Sequence, residues 1–208
     1  MPKCSCETDN KFSGQTAEFK SVLWVIIAIN VAMFFIELVA SFGANSMALR
    51  ADALDFLGDS FTYAITLIAI GFSLKWRASV AMFKGITLAI MGIWVLGSTI
   101  YRMFVLDVPD EAIMGIIAIL AFIANAVSAI LLVKYKEGDA NVRSVWLCSR
   151  NDAIGNFAVL MAALVVYFTH SNIPDLVVAG LMATLFLHSS LMVIRQSFKE
   201  FQAIPKEH

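Results

Sequence analysis

Six long apolar runs constrain this chain more than any other feature, at residues 21–43, 46–74, 77–104, 109–133, 142–169 and 173–196. Each is long enough for an α-helix to cross a hydrocarbon core about 30 Å thick, which takes roughly 20 residues. Inside lipid no water serves the backbone, so such runs satisfy their own N–H and C=O groups as helices. Turn-like or charged separators stand between them: Phe42 to Ser46, Ser73 to Arg77, Asp107 to Glu111, Lys134 to Asn141 and His170 to Asp175. Pro109 and Pro174 each suit the first turn of a helix, where a missing N–H costs nothing. With 60% hydrophobic and 15% charged residues and a mean hydropathy of +0.80, the chain lacks the polar surface that a soluble domain would need. The expected fold is an all-α membrane protein of six transmembrane helices. A polar tail over 1–20 precedes the six-helix membrane region 21–196, and a short charged tail over 197–208 follows it.

Residues 1–20 hold no apolar signal-peptide core. A net charge of −1 without a basic run gives no ground for a nucleic-acid partner. Cys4, Cys6 and Cys148 do not make a disulfide framework. Lys and Arg set the orientation. With both termini cytoplasmic, 11 of them flank the inner ends of the spans and only Arg50 and Arg102 flank the outer ends. The positive-inside bias therefore favours cytoplasmic termini. The compact chain without a sorting signal suits a bacterial inner membrane.

The second run is interrupted by acids. In Arg50-Ala51-Asp52-Ala53-Leu54-Asp55-Phe56-Leu57-Gly58-Asp59, Asp55 and Asp59 are four apart and fall about 40° apart on one helix face, with Asp52 near it. Carboxylates are expensive inside a membrane, so they mark a functional site by default. The fifth run answers with Cys148-Ser149-Arg150-Asn151-Asp152-Ala153-Ile154-Gly155-Asn156, and its Asp152-x-x-Gly-Asn156 echoes Asp55-x-x-Gly-Asp59. At 1.5 Å per residue, Asp55 lies roughly 14 Å from the outer edge and Asp152 roughly 15 Å from the inner edge, both near the midplane. Asp59 levels with Cys148, and Asp52 with Asn156. Two antiparallel helices then stack Asp55, Asp59, Cys148 and Asp152 as four ligands along one seam. A mixed O and S set suits a tetrahedral site for zinc or a softer relative. Repulsion among these carboxylates, relieved by either cation or proton, offers a route to couple proton exchange to metal release.

The run from Ser46 to Asp59, together with Asn141-Val-Arg-Ser-Val-Trp-Leu-Cys148-Ser-Arg-Asn-Asp152, resembles the cation diffusion facilitator family. That family's six-span fold carries an His/Asp-x-x-x-Asp pair in span two and another in span five. Asp55 and Asp59 match the first pair and Asp152 the second aspartate, while Cys148 stands where a histidine is usual. The resemblance implies efflux of zinc or similar divalent cations in exchange for protons, usually by a homodimer. It is to the shortened members, since the usual cytoplasmic C-terminal domain is not among these residues, and a dimer would rest on the spans. A thiolate at Cys148 favours zinc or cadmium; a set led by carboxylates would also admit cobalt or manganese. No cofactor is expected beyond this cargo.

Around the core set stand helpers and bystanders. Glu37, in span one toward the outer side, either receives or releases a cation or is a hydrogen-bonded structural acid. Asp52 lines an outer vestibule or caps helix packing. Asn156 is a helper of the metal site or a helix–helix hydrogen bond, while Asn125 with Ser128 in span four fit helix–helix hydrogen bonds. Cys4-x-Cys6 is a mobile soft-metal handle or an incidental tail. His170 and Asp175 fall in an outer loop, and His188 is a packing residue. The rival reading is a magnesium-dependent intramembrane prenyltransferase that uses paired Asp-x-x-x-Asp motifs.

Overall fold

The computed structural model describes residues 16–68, 74–104, 108–136 and 140–202. Among them are six long helices: α1 Ala17–Gly43, α2 Met47–Ile68, α3 Leu74–Arg102, α4 Glu111–Leu132, α5 Ala140–Thr169 and α6 Ile173–Gln202. A single 3-10 turn, Val133–Tyr135, finishes α4. Five of the helices are apolar and long enough to cross a membrane. The exception is α2, which carries Arg50, Asp52, Asp55 and Asp59. The fold is thus an all-α membrane protein.

The outward faces are oily. Trp24, Phe35, Val39, Ile90, Phe104, Ile116, Ile130 and Phe168 all stand exposed around the bundle. Such a surface suits lipid and would be a liability in water. Hydroxyls within the spans turn back onto their own helices. Ser60 donates to the Phe56 carbonyl at 2.8 Å, Thr99 to Val95 at 2.8 Å and Ser128 to Ala124 at 2.9 Å. Ser128 therefore satisfies itself within α4, where an interhelical bond was expected, because the carbonyl one turn back is the closest acceptor.

The helices associate chiefly as pairs, α1 with α2, α4 with α5, and α3 with α6. Glycines bring the last pair together. A Cβ at Gly85 would stand 2.7 Å from the Ile194 side chain and 3.3 Å from its backbone nitrogen, and one at Gly92 would stand 3.1 Å from Leu187. Small residues permit such approach where no hydrophobic effect drives helices together. The polar α2 touches all five other helices. Its three acids would each cost several kcal/mol facing lipid, so enclosure by the other helices is what the sequence demands.

The far face of the bundle, opposite the described chain ends, is tightly tied. Helix α1 ends in a Schellman turn, in which Ser46 N–H reaches the Ser41 carbonyl at 3.1 Å and Asn45 N–H reaches Phe42 at 3.4 Å. Asn45 takes the left-handed conformation at φ 57°, which Asn tolerates better than most residues. Ser46 at once starts α2, its hydroxyl oxygen accepting from Leu49 N–H at 3.1 Å. Asp175 lies in the first turn of α6 and is 2% exposed. Its carboxylate accepts from the Ser46 hydroxyl at 2.5 Å, Met47 N–H at 2.8 Å and Ala48 N–H at 3.0 Å. It is therefore a buried cap on α2 and not a loop residue, because these donors offset its desolvation. Arg102 donates to the Asn45 carbonyl at 2.8 Å and to the Asn45 side chain, and Asp110 N–H meets the Ala44 carbonyl at 2.8 Å. Asp110 caps α4 through Ile113 N–H, so Pro109 precedes the cap and does not sit in the first helical turn. Pro174 does lie in the first turn of α6.

At the terminal face, Phe19, Leu23, Ile26, Ile27, Tyr63, Leu132, Tyr135 and Val145 pack into one plug. Lys134 and Glu18 pair at its exposed edge. Helix α1 begins with Thr16 accepting from Phe19 N–H at 3.3 Å, and α6 runs on to Gln202, past the end of its apolar run.

Candidate metal-binding seam

The short α1–α2 connection fixes what faces what. Counting eight residues back from Asn45 reaches Glu37, and counting seven forward reaches Asp52, so an antiparallel hairpin sets the two level. The two therefore stand level across the tightly packed α1–α2 interface, and both lie inside the bundle. Glu37 is 0% exposed and Asp52 1%. None of their four oxygens has a donor among the described residues. Asp55 lies about one turn further along α2.

Two turns along from Asp52, the surroundings change. The Tyr63 phenol, fully buried, donates to the Asp59 carboxylate and lies 3.1 Å from the Ser149 hydroxyl on α5. Helical side chains lean toward the N-terminus, so the Tyr63 hydroxyl reaches back to the level of Asp59. The tie therefore aligns Asp59 with Ser149. Seven residues up each antiparallel helix from there lie Asp52 on α2 and Asn156 on α5. Asp152, three residues up α5 from Ser149, falls at the level of Phe56, one residue from Asp55. Seven residues are two turns, so Ser149 and Asn156 share the face on which Asp152 also lies, and both are buried. The Asn156 amide has no partner among the described residues for either its nitrogen or its oxygen.

Asp55, Asp59 and Asp152 are half-buried along this seam. Among the described residues no three His, Cys, Asp or Glu side chains converge tightly enough to hold a metal ion. The Cys148 side chain lies outside the described residues, as do Cys4 and Cys6. Arg150 turns off the seam onto the Trp146 ring at 5.2 Å and donates to Asn151 at 3.1 Å. Arg50 stacks on Phe42, its guanidinium 4.6 Å from the ring centre. His188 is exposed on α6 and not packed, and His170 sits at φ 47° in the α5–α6 turn.

The family of cation efflux transmembrane domains matches residues 23–201, nearly the whole span of the helices. The chain belongs to the cation efflux family. Similar proteins include the zinc transporter ZitB of Yersinia pestis, 28% identical over 202 aligned positions, with 89% of this chain and 64% of that protein covered. ZitB of Escherichia coli (strain K12) is 26% identical over 83% of this chain and 59% of its own length. A cadmium, cobalt and zinc/H(+)-K(+) antiporter of Bacillus subtilis (strain 168) is 24% identical over 86% of this chain and 62% of its own. The chain spans about three-fifths of the length of these curated relatives. Cation efflux proteins and relatives named as transporters leave the prenyltransferase reading without support, and the chain is not an enzyme.

Tyr63 escaped the sequence reading, although its i+4 spacing from Asp59 was visible. A lone phenol in an apolar run reads as a packing aromatic, and only the three-dimensional tie to Ser149 separates the two. The direct apposition of Glu37 with Asp52 was legible in principle, had the three-residue turn been used as a ruler.

Proposed function

We propose that this chain is the membrane domain of a divalent-metal exporter that moves zinc, and with the same donors cadmium or cobalt, out of the cytoplasm in exchange for protons. Asp55, Asp59, Asp152 and Cys148 are the metal ligands. They draw together along the α2–α5 seam when an ion enters. Three carboxylates and a thiolate give the mixed hard and soft donor set that zinc accepts, and cargo and protons compete for the same oxygens. Both termini face the cytoplasm of a bacterial inner membrane, and the protein works as a homodimer joined through its helices.

The observation that carries this reading is the position of α2. The helix that carries Asp52, Asp55 and Asp59 is, among the described residues, the one in contact with all five others, and the Tyr63–Ser149 contact ties its acidic stretch to α5. Zinc flux into proteoliposomes under an imposed pH gradient tests it. Wild type is expected to move zinc, and Asp55→Ala to fall to the level of protein-free liposomes. A wild type that moves none of zinc, cadmium or cobalt, or an Asp55→Ala variant with undiminished flux, overturns it.

A further inference from the structure

The Glu37–Asp52 pair is not used by the four-ligand set, and its surroundings are unusual for buried acids. Two carboxyl groups on adjacent helices, set level by the α1–α2 hairpin, are 0% and 1% exposed. All four oxygens lack a donor among the described residues. A buried carboxylate normally recruits backbone or side-chain donors or a cationic partner. Asp175 does so with three donors only a turn or two away. Neither arginine near the far face hydrogen-bonds these acids: Arg50 stacks on Phe42 and bonds the Met47 sulfur at 3.7 Å, with its buried Nε unpartnered among the described residues, and Arg102 holds Asn45. Oxygens gathered in this way need either a cation or a shared proton to satisfy them.

On α5, Asn156 stands at the level of Asp52 by the register that the Tyr63–Ser149 contact sets. It is fully buried, with both amide atoms lacking a partner among the described residues. Three helices thus bring unpartnered oxygens to one depth, about two helical turns, or roughly 10 Å, nearer the far face than Asp59.

We propose that Glu37 and Asp52 form a second divalent-cation site, distinct from the set of Asp55, Asp59, Asp152 and Cys148. Its donors are carboxylate oxygens, with the Asn156 carbonyl as a neutral third. The proposal rests on the efflux reading above and gives the cargo a second station on the far side of the first. All-oxygen donors are harder than a set with a thiolate, so an ion passing from the first station to the second leaves its soft ligand behind. Asp55, about one turn from Asp52 on the same helix and a member of the first set, links the two.

The test is zinc binding at equilibrium to the full chain in nanodiscs, paired with zinc flux in proteoliposomes. Wild type is expected to bind two zinc ions per chain, while Glu37→Gln and Asp52→Asn each bind one. Asp55→Asn is expected to lose the other. Glu37→Gln should slow flux about tenfold or more, as loss of a metal-supporting group commonly does, and Glu37→Asp should restore much of it. Both amide variants keep shape, and a matching melting temperature guards against misfolding; if one fails to fold, the other carries the test. Variants that bind as many ions as wild type and move zinc at its rate overturn the second site. So does a Glu37→Gln protein that keeps both ions but loses only the dependence of flux on the pH gradient, since the pair would then hold a proton alone. A wild type that binds two ions, one lost in Glu37→Gln, yet moves none, supports the second site and overturns the efflux reading instead.

Discussion

At Asp59, α2 presents its carboxylate to a fixed donor, the Tyr63 phenol, which also meets Ser149 on α5. At Asp52, two turns away on the same helix, the neighbour is another acid, Glu37, and no donor among the described residues serves either group. The first arrangement stabilises an anion and ties two helices together. The second leaves oxygens that only a cation or a shared proton can satisfy. Burial alone therefore does not tell what a membrane carboxylate does; its partners do. Asp175 makes the point from the other side, since it is almost fully buried yet purely a cap.

Each level can be disturbed from outside its own acids. The largest effect is expected at Asp175→Ala, which strips the acceptor from Ser46, Met47 and Ala48 at the start of α2. With buried donors unpaired at roughly 1–3 kcal/mol each, partly relieved by relaxation, the loss should be about 3 kcal/mol. Thermal unfolding in detergent would read it as a clear drop in melting temperature. An unchanged melting temperature would mean that the far end of α2 does not depend on α6, and that the Glu37–Asp52 alignment is not held there.

A smaller effect is expected at Tyr63→Phe, which removes one hydroxyl and keeps the ring in the terminal-face plug. Stability should fall by about 1 kcal/mol. Zinc affinity should change more than stability does, because Asp59 loses the donor that holds it. Titration of zinc against the purified variant, beside its melting curve, separates the two. Equal zinc affinity in Tyr63→Phe and wild type would show that the donor at Asp59 is only structural, and the contrast between the two levels would collapse.

The helices were legible because lipid leaves an apolar run of some 20 residues little else to become. The importance of α2 was legible for the complementary reason, that acids in such a run must be enclosed. Contacts distant in sequence were not legible. Asp175 finds Ser46 across 129 positions, and nothing in His170-Ser-Asn-Ile-Pro-Asp175 announces a cap for another helix. Ser128 turned out to bond within its own helix, since a serine's nearest acceptor in a span is local and sequence alone cannot choose between the two. Pro109 missed its expected turn because Asp110 beside it is the stronger cap.

The central claim is that the cargo binds along the α2–α5 seam through a mixed oxygen and sulfur set. X-ray absorption at the zinc edge, on protein carrying one zinc ion per chain, addresses it most directly. The expected spectrum has a single sulfur at about 2.3 Å among four ligands, and that sulfur signal disappears in Cys148→Ser and in Asp152→Asn. A spectrum of oxygen ligands alone, unchanged by either substitution, would contradict the account.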